Sequence, residues 1–284
     1  MTNATWKNLN IADEDAFAAA RLQSHAAVQW LARLARTFSP AQPDYSHTSL
    51  CWDRDACGLF TQNLSDTGLR AGLSIDTLTL TVGTEDRLKL HSMKDADVLQ
   101  WLHNVLTQHK LSSESLDSYT PEELTNHPIL QGASYNHTDN ALAHAELNQW
   151  FANADLALQK AAQRYGHIQP GPSPVRCWPH HFDIATLIRL EEGNAEEVRS
   201  IGVGLSPGDE TYTLPYFYSN PWPKPESVHL PELHALGNWH SQGFFGAVAT
   251  SDQITSAPNQ YDAVIKFLGS SIAANLELLC FDKN

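Results

Sequence analysis

The run Cys-Trp-Pro-His-His-Phe-Asp, Cys177 to Asp183, sets two adjacent histidines and a carboxylate among residues that otherwise read as a buried strand. Imidazole nitrogen and carboxylate oxygen suit zinc and other divalent transition metals, and a set of two histidines and one carboxylate leaves positions open for water or substrate. The same groups can carry general acid and base chemistry. In a regular strand neighbours alternate between faces, so His181 and Asp183 share a face while His180 points away. Pro179 cannot donate to a ladder and is a place where that alternation can fail and both histidines converge. His181 and Asp183 are therefore the candidate metal ligands, and His180, His181, Asp183 and Asp209 the candidate catalytic set of a metal-assisted or acid/base hydrolase acting on a small molecule. H-E-x-x-H and C-x-x-C motifs are absent from the sequence, so a metal such as zinc would need further ligands from separate segments. His229, His234, His240, Asp209 and Glu210 are the candidates. Against this stands a structural role, in which Asp183 orients a ring or receives backbone N–H groups.

Gly204 to Gly208, Gly-Leu-Ser-Pro-Gly, matches the G-x-S-x-G pattern of a nucleophile elbow. Its chemistry fails there: the residue after Ser206 must offer a backbone N–H to an oxyanion, and Pro207 has none. Pro-Gly followed by Asp209 and Glu210 reads instead as a tight turn. The aromatic residues around it, Trp178, Tyr212, Tyr216, Tyr218 and Trp222, could line a pocket for a small organic ligand. They suit a non-catalytic binding protein as well as an enzyme, and the simpler expectation for about half of them is core. A structural or interaction protein that pairs through its sheet is the third reading.

The stretches Ser173–Ala185 and Gly202–Pro223, with their Trp-Pro-His-His-Phe-Asp, Ser-Pro-Gly-Asp and Pro-Tyr-Phe-Tyr motifs, resemble an uncharacterised family of bacterial proteins classed as a domain of unknown function. The first half resembles it through a long N-terminal helix and the strands around Cys51 and Ile75. The resemblance implies domain limits and brings no activity, cofactor or catalytic residue.

The elements that must position these groups follow from periodicity. Asp13–Phe38 predicts a long amphipathic helix, acidic at its start and basic near its end, with Leu31, Leu34 and Phe38 buried. Short threonine-rich and branched runs between His47 and Val82 predict an antiparallel sheet, and 95–110 a helix capped by Asp95. A polar connection with one turn at Pro121–Leu124 follows, then a helix over 141–165, strands near 175–190, 198–205, 211–219 and 240–250, and a last helix over 259–279. The order repeats, and Cys51-Trp52 and Ala71–Ser74 are echoed by Cys177-Trp178 and Val203–Ser206. The expected fold is α+β, two related halves each an antiparallel sheet flanked by long helices: 1–110, a connection over 111–139, and 140–284 with the site. In that comparison Arg54, Asp55 and Cys57 stand where His180, His181 and Asp183 do.

Composition limits the partners. The 284 residues, 42% of them hydrophobic, can bury a substantial core, and a formal charge of −14 opposes a nucleic-acid or anionic-membrane partner. The N-terminal stretch has no basic segment leading into an apolar run, and four cysteines form neither a close pair nor a dense framework. These features predict a cytoplasmic protein with free thiols.

Overall fold

The computed structural model describes residues 5–281 except 115, 117, 118, 120, 122, 123, 194–197, 227, 228 and 235. Among the described residues, helices and strands follow in the order α1 (Glu14–Phe38), β1 (Cys51–Asp53), β2 (Gly58–Phe60), β3 (Ala71–Ser74), β4 (Thr79–Val82), β5 (Asp86–Lys89), α2 (Asp95–Gln108), α3 (Ala141–Tyr165), β6 (Gly171–Pro172), β7 (Arg176–Trp178), β8 (Asp183–Arg189), β9 (Ser200–Ser206), β10 (Tyr216–Trp222), β11 (Asn238–His240), β12 (Gly246–Thr250), α4 (Ser251–Thr255) and α5 (Gln260–Phe281). The chain is α+β with antiparallel sheets. Its two compact units are not contiguous halves: one comprises Met1–Asn10, Trp150–Arg176 and Asp183–Asn284, the other Ile11–Gln149 with Cys177–Phe182. The chain thus changes unit within α3, and again at each end of the Cys177–Phe182 segment.

In the unit built on Ile11–Gln149, β1 to β5 form a five-stranded meander. Asp13 caps α1 by accepting a hydrogen bond from Ala16 N at 3.0 Å, and Glu14 and Asp15 complement the helix dipole. Leu31 and Leu34 are buried and Phe38 only partly so. Asp95 is the first residue of α2, not its cap; the carboxylate that turns back is Asp97, whose Oδ2 accepts Lys94 N at 2.9 Å. The turn at 121–124 closes through Leu124 N donating to Pro121 O at 3.0 Å, while Glu122 and Glu123 of that expectation lie outside the described residues. β5 was not anticipated: its alternation is partly covered against exposed, with charged Asp86, Arg87 and Lys89, as suits a sheet edge.

In the other unit the path of the sheet runs β11-β12-β10-β9-β8-β6. Register and pleat divide its side chains between two faces. Ile184, Thr186 and Ile188 of β8, Ile201, Val203 and Leu205 of β9, Phe217 and Ser219 of β10, and Ala247 and Ala249 of β12 share one face, and all are buried. α5 covers this face against β9, β10 and β12. By length and hydropathy α5 could cross a membrane; here Val264, Phe267, Leu268, Ile272 and Leu279 are buried against the sheet unit, and Asn275 Nδ2 donates to Ser219 O at 3.1 Å and Ser219 Oγ at 2.8 Å. α3 joins α5 through Tyr165, whose hydroxyl donates to Gly269 O at 3.1 Å. β10 begins at Tyr216, not near 211, because a turn centred on Asp209 and then Pro215 hold the chain out of the ladder until there.

Candidate functional site

The opening motif is a turn. Pro179–Phe182 connect β7 to β8, with His181 N at 3.2 Å and Phe182 N at 2.7 Å from the Trp178 carbonyl. Phe182 has φ 56°, a left-handed conformation costly for a bulky residue, and it is held there by burial and by stacking on His25, ring centroids 5.5 Å apart. Pro179 O accepts Gln29 Nε2 at 2.7 Å and pairs with His25 Nε2 at 3.0 Å, which pins the turn to α1. The strand alternation that would set His181 beside Asp183 is therefore interrupted. His181 is exposed, its ring 4.3 Å from that of His180, while Trp178 meets His180 edge-on at 6.2 Å. These residues belong to the unit of α1; Asp183, the first residue of β8, belongs to the other. Among the described residues no group of three or more His, Cys, Asp and Glu is disposed to hold a metal ion.

Asp183 lies instead with the aromatic segment. On the sheet face opposite α5 stand Asp183, Ala185, Leu187 and Arg189 of β8, Gly202, Gly204 and Ser206 of β9, Tyr216, Tyr218, Asn220 and Trp222 of β10, and Gly246, Val248 and Thr250 of β12. Tyr218 Oη donates to Asp183 Oδ2 at 2.5 Å by leaning across Gly204. A methyl group on Gly204 would stand 2.5 Å from Tyr218 Oη and 2.8 Å from Ile184 O, so the glycine is required for the tyrosine to reach. One residue pair along, Tyr216 Oη donates to Asp209 Oδ2 at 2.5 Å, and its ring lies 6.2 Å from that of Tyr218. Burial, the hydrogen bond to Asp209 and the charges of Asp209 and Asp183 push the Tyr216 phenol far above its ordinary value. Burial first and the Asp183 charge second do the same to Tyr218. Both phenols stay protonated at neutral pH.

Asp209 is mainly a staple. Its Oδ1 accepts Thr211 N at 2.7 Å and Tyr212 N at 2.9 Å, closing a local turn, and Oδ2 fixes Tyr216. Ser206 is buried, receives Gly208 N at 3.2 Å and precedes a loop, not the helix that an elbow demands. Beyond Tyr212, its hydroxyl pairs with His240 Nδ1 at 2.8 Å, while His240 Nε2 bonds the Gln242 carbonyl. A carbonyl only accepts, so Nε2 carries the proton and Nδ1 accepts from the tyrosine. Phe244 stacks on His240 at 4.4 Å and on Tyr216 at 6.3 Å.

Tyr212, Tyr216, Tyr218 and Trp222 are thus gathered with Asp183 and Asp209 in one unit, and His240 joins them. Trp178, His180 and His181 are placed in the other. His229 and His234 lie with Glu232 and Glu277 around a separate shallow depression of about 280 Å³ beside α5. Sequence reasoning missed Gly202, Gly204, Gly246, Asn220 and Phe244. The signal present was the alternation Tyr-x-Tyr-x-Asn-x-Trp over 216–222, opposite a strand reading Gly-x-Gly. Comparison of the chain with family models, with curated proteins and with solved structures gave no match.

Proposed function

We propose that the protein binds a small molecule on the β8–β9–β10 face of its Asp183–Asn284 unit, with Asp183 and Tyr218 at the polar end of the site. The observation that carries this is the Tyr218–Asp183 hydrogen bond of 2.5 Å on a glycine-floored, partly solvated sheet face. Glycine at Gly204 gives up side-chain packing in a strand interior, and its use where a phenol and a carboxylate converge suits close approach by another group. Binding is favoured over acid/base catalysis because a phenol held protonated is a fixed donor; a base near neutral pH needs a pKa close to that of the medium. The −14 charge supports a reading with neither nucleic acid nor an anionic membrane surface as partner.

We also infer two related halves. Both Cys-Trp hairpins run strand, four-residue turn, strand, and both turns end in a residue of positive φ, Cys57 at 50° and Phe182 at 56°.

Protein purified without added ligand is expected to retain a small molecule, detected by native mass spectrometry, or to be stabilised by a member of a metabolite panel. Tyr218→Phe should weaken that binding at least about tenfold, which corresponds to ~1.4 kcal/mol. If no compound is retained or stabilises, or Tyr218→Phe binds like the parent, the proposal fails.

A further inference from the structure

We infer that the occupant of this face is a carbohydrate chain, lying along β10 with sugar rings against Trp222 and Tyr218; this rests on the binding reading above. The residues Tyr218, Asn220 and Trp222 alternate on one strand and stand on one face of the sheet. Four residues along a strand cover about 13 Å, so the two aromatic side chains are spaced for an oligosaccharide and not for one ring. Trp222 is 48% exposed although it ends a strand of a largely buried sheet.

Between the two rings the surface is flat and hydrogen-bonding. Asn220 spreads over glycine on both sides: a methyl group on Gly202 would lie 2.5 Å from its Oδ1, and one on Gly246 3.0 Å from its Cβ. Its side-chain amide has no hydrogen-bond partner among the described residues and offers both donors and an acceptor to ligand hydroxyls. Asp183, which accepts the Tyr218 hydroxyl, closes that end of the face.

The charges match a neutral ligand. The β8–β9–β10 strands bring one acid, Asp183, and one base, Arg189, to this face, the Asp209 carboxylate stands beside Tyr216, and the chain as a whole carries −14. A phosphorylated ligand would meet a single guanidinium and an unfavourable overall field. A planar aromatic ligand is best held between two walls. Here successive rings lie on one surface of a strand, a platform suited to the C–H face of a sugar with its hydroxyls toward solvent and Asn220.

The test titrates the full chain with cellohexaose, xylohexaose, maltohexaose and chitohexaose, followed by calorimetry and tryptophan fluorescence. At least one should bind with a Kd below about 1 mM, its monosaccharide should bind far more weakly, and Trp222→Ala should lower affinity at least tenfold. Trp222 is half exposed, so the variant keeps its core, and an unchanged circular dichroism spectrum verifies this. Absence of binding by all four hexasaccharides overturns the inference, as does binding that Trp222→Ala leaves intact. If no sugar binds while a retained non-carbohydrate molecule is lost in Tyr218→Phe, the ligand class is refuted and the binding reading stands. If neither is seen, both fall.

Discussion

Lowering the pH from 7 to 4 should destabilise the unit of α1 through one buried histidine. His144 on α3 is fully buried, its Nδ1 3.2 Å from Ser24 Oγ of α1, and the ring of His137 is 5.1 Å away. Burial first and the neighbouring His137 second lower its pKa from 6.5 to about 4. The folded-state value lies below the unfolded one, so between them the unfolded chain binds a proton that the folded chain refuses. Stability is therefore complete above about pH 6.5, falls as pH drops toward 4, and levels off below. The shift is 6.5 minus about 4, or about 2.5, and at ~1.36 kcal/mol per pKa unit the loss is about 3 kcal/mol. The control is His144→Asn, which keeps a polar partner for Ser24 and cannot titrate. It will be less stable at pH 7, but the quantity compared is the change between pH 7 and pH 4. Urea unfolding at four pH values, with hydrogen exchange of the α1 amides reporting on that unit, should find the parent losing about 3 kcal/mol more than the variant. Parallel loss in the two proteins would refute the assignment of acid sensitivity to His144.

Gly204→Ala should lower stability by about 1–3 kcal/mol, because its methyl group meets both Tyr218 Oη and the Ile184 carbonyl; a thermal midpoint equal to the parent's would mean that the phenol moves aside freely. Asn275→Ala should cost about 1–3 kcal/mol by removing the donor to Ser219 O and Oγ beneath β10, read from chemical denaturation.

Much of the secondary structure was legible locally. The helices over 14–38, 141–165 and 260–281 follow from period-3.6 burial with acidic starts or a terminal glycine, signals carried within one segment. The rejection of Ser206 as a nucleophile also needed nothing beyond Pro207, since a missing N–H is a covalent fact. The alternation along 216–222 was legible as well, and the aromatic residues it presents were nominated from type alone.

Where those residues meet was decided by tertiary structure. The Cys-Trp likeness has an offset of 126, whereas β1 and β7 begin 125 residues apart, at Cys51 and Arg176. A one-residue slip exchanges the faces of a strand, so equal letters need not mean equal surroundings. Phe182, between His181 and Asp183, adopts φ 56°, held by a histidine and a glutamine on a helix about 150 residues earlier, so the strand alternation read from the sequence does not run through it. Tyr218, which donates to Asp183, lies 35 residues on and reaches it across Gly204. Residue type states what a group can do; register, a left-handed turn and the absence of one methyl group determine which groups meet, and these depend on contacts distant in the chain.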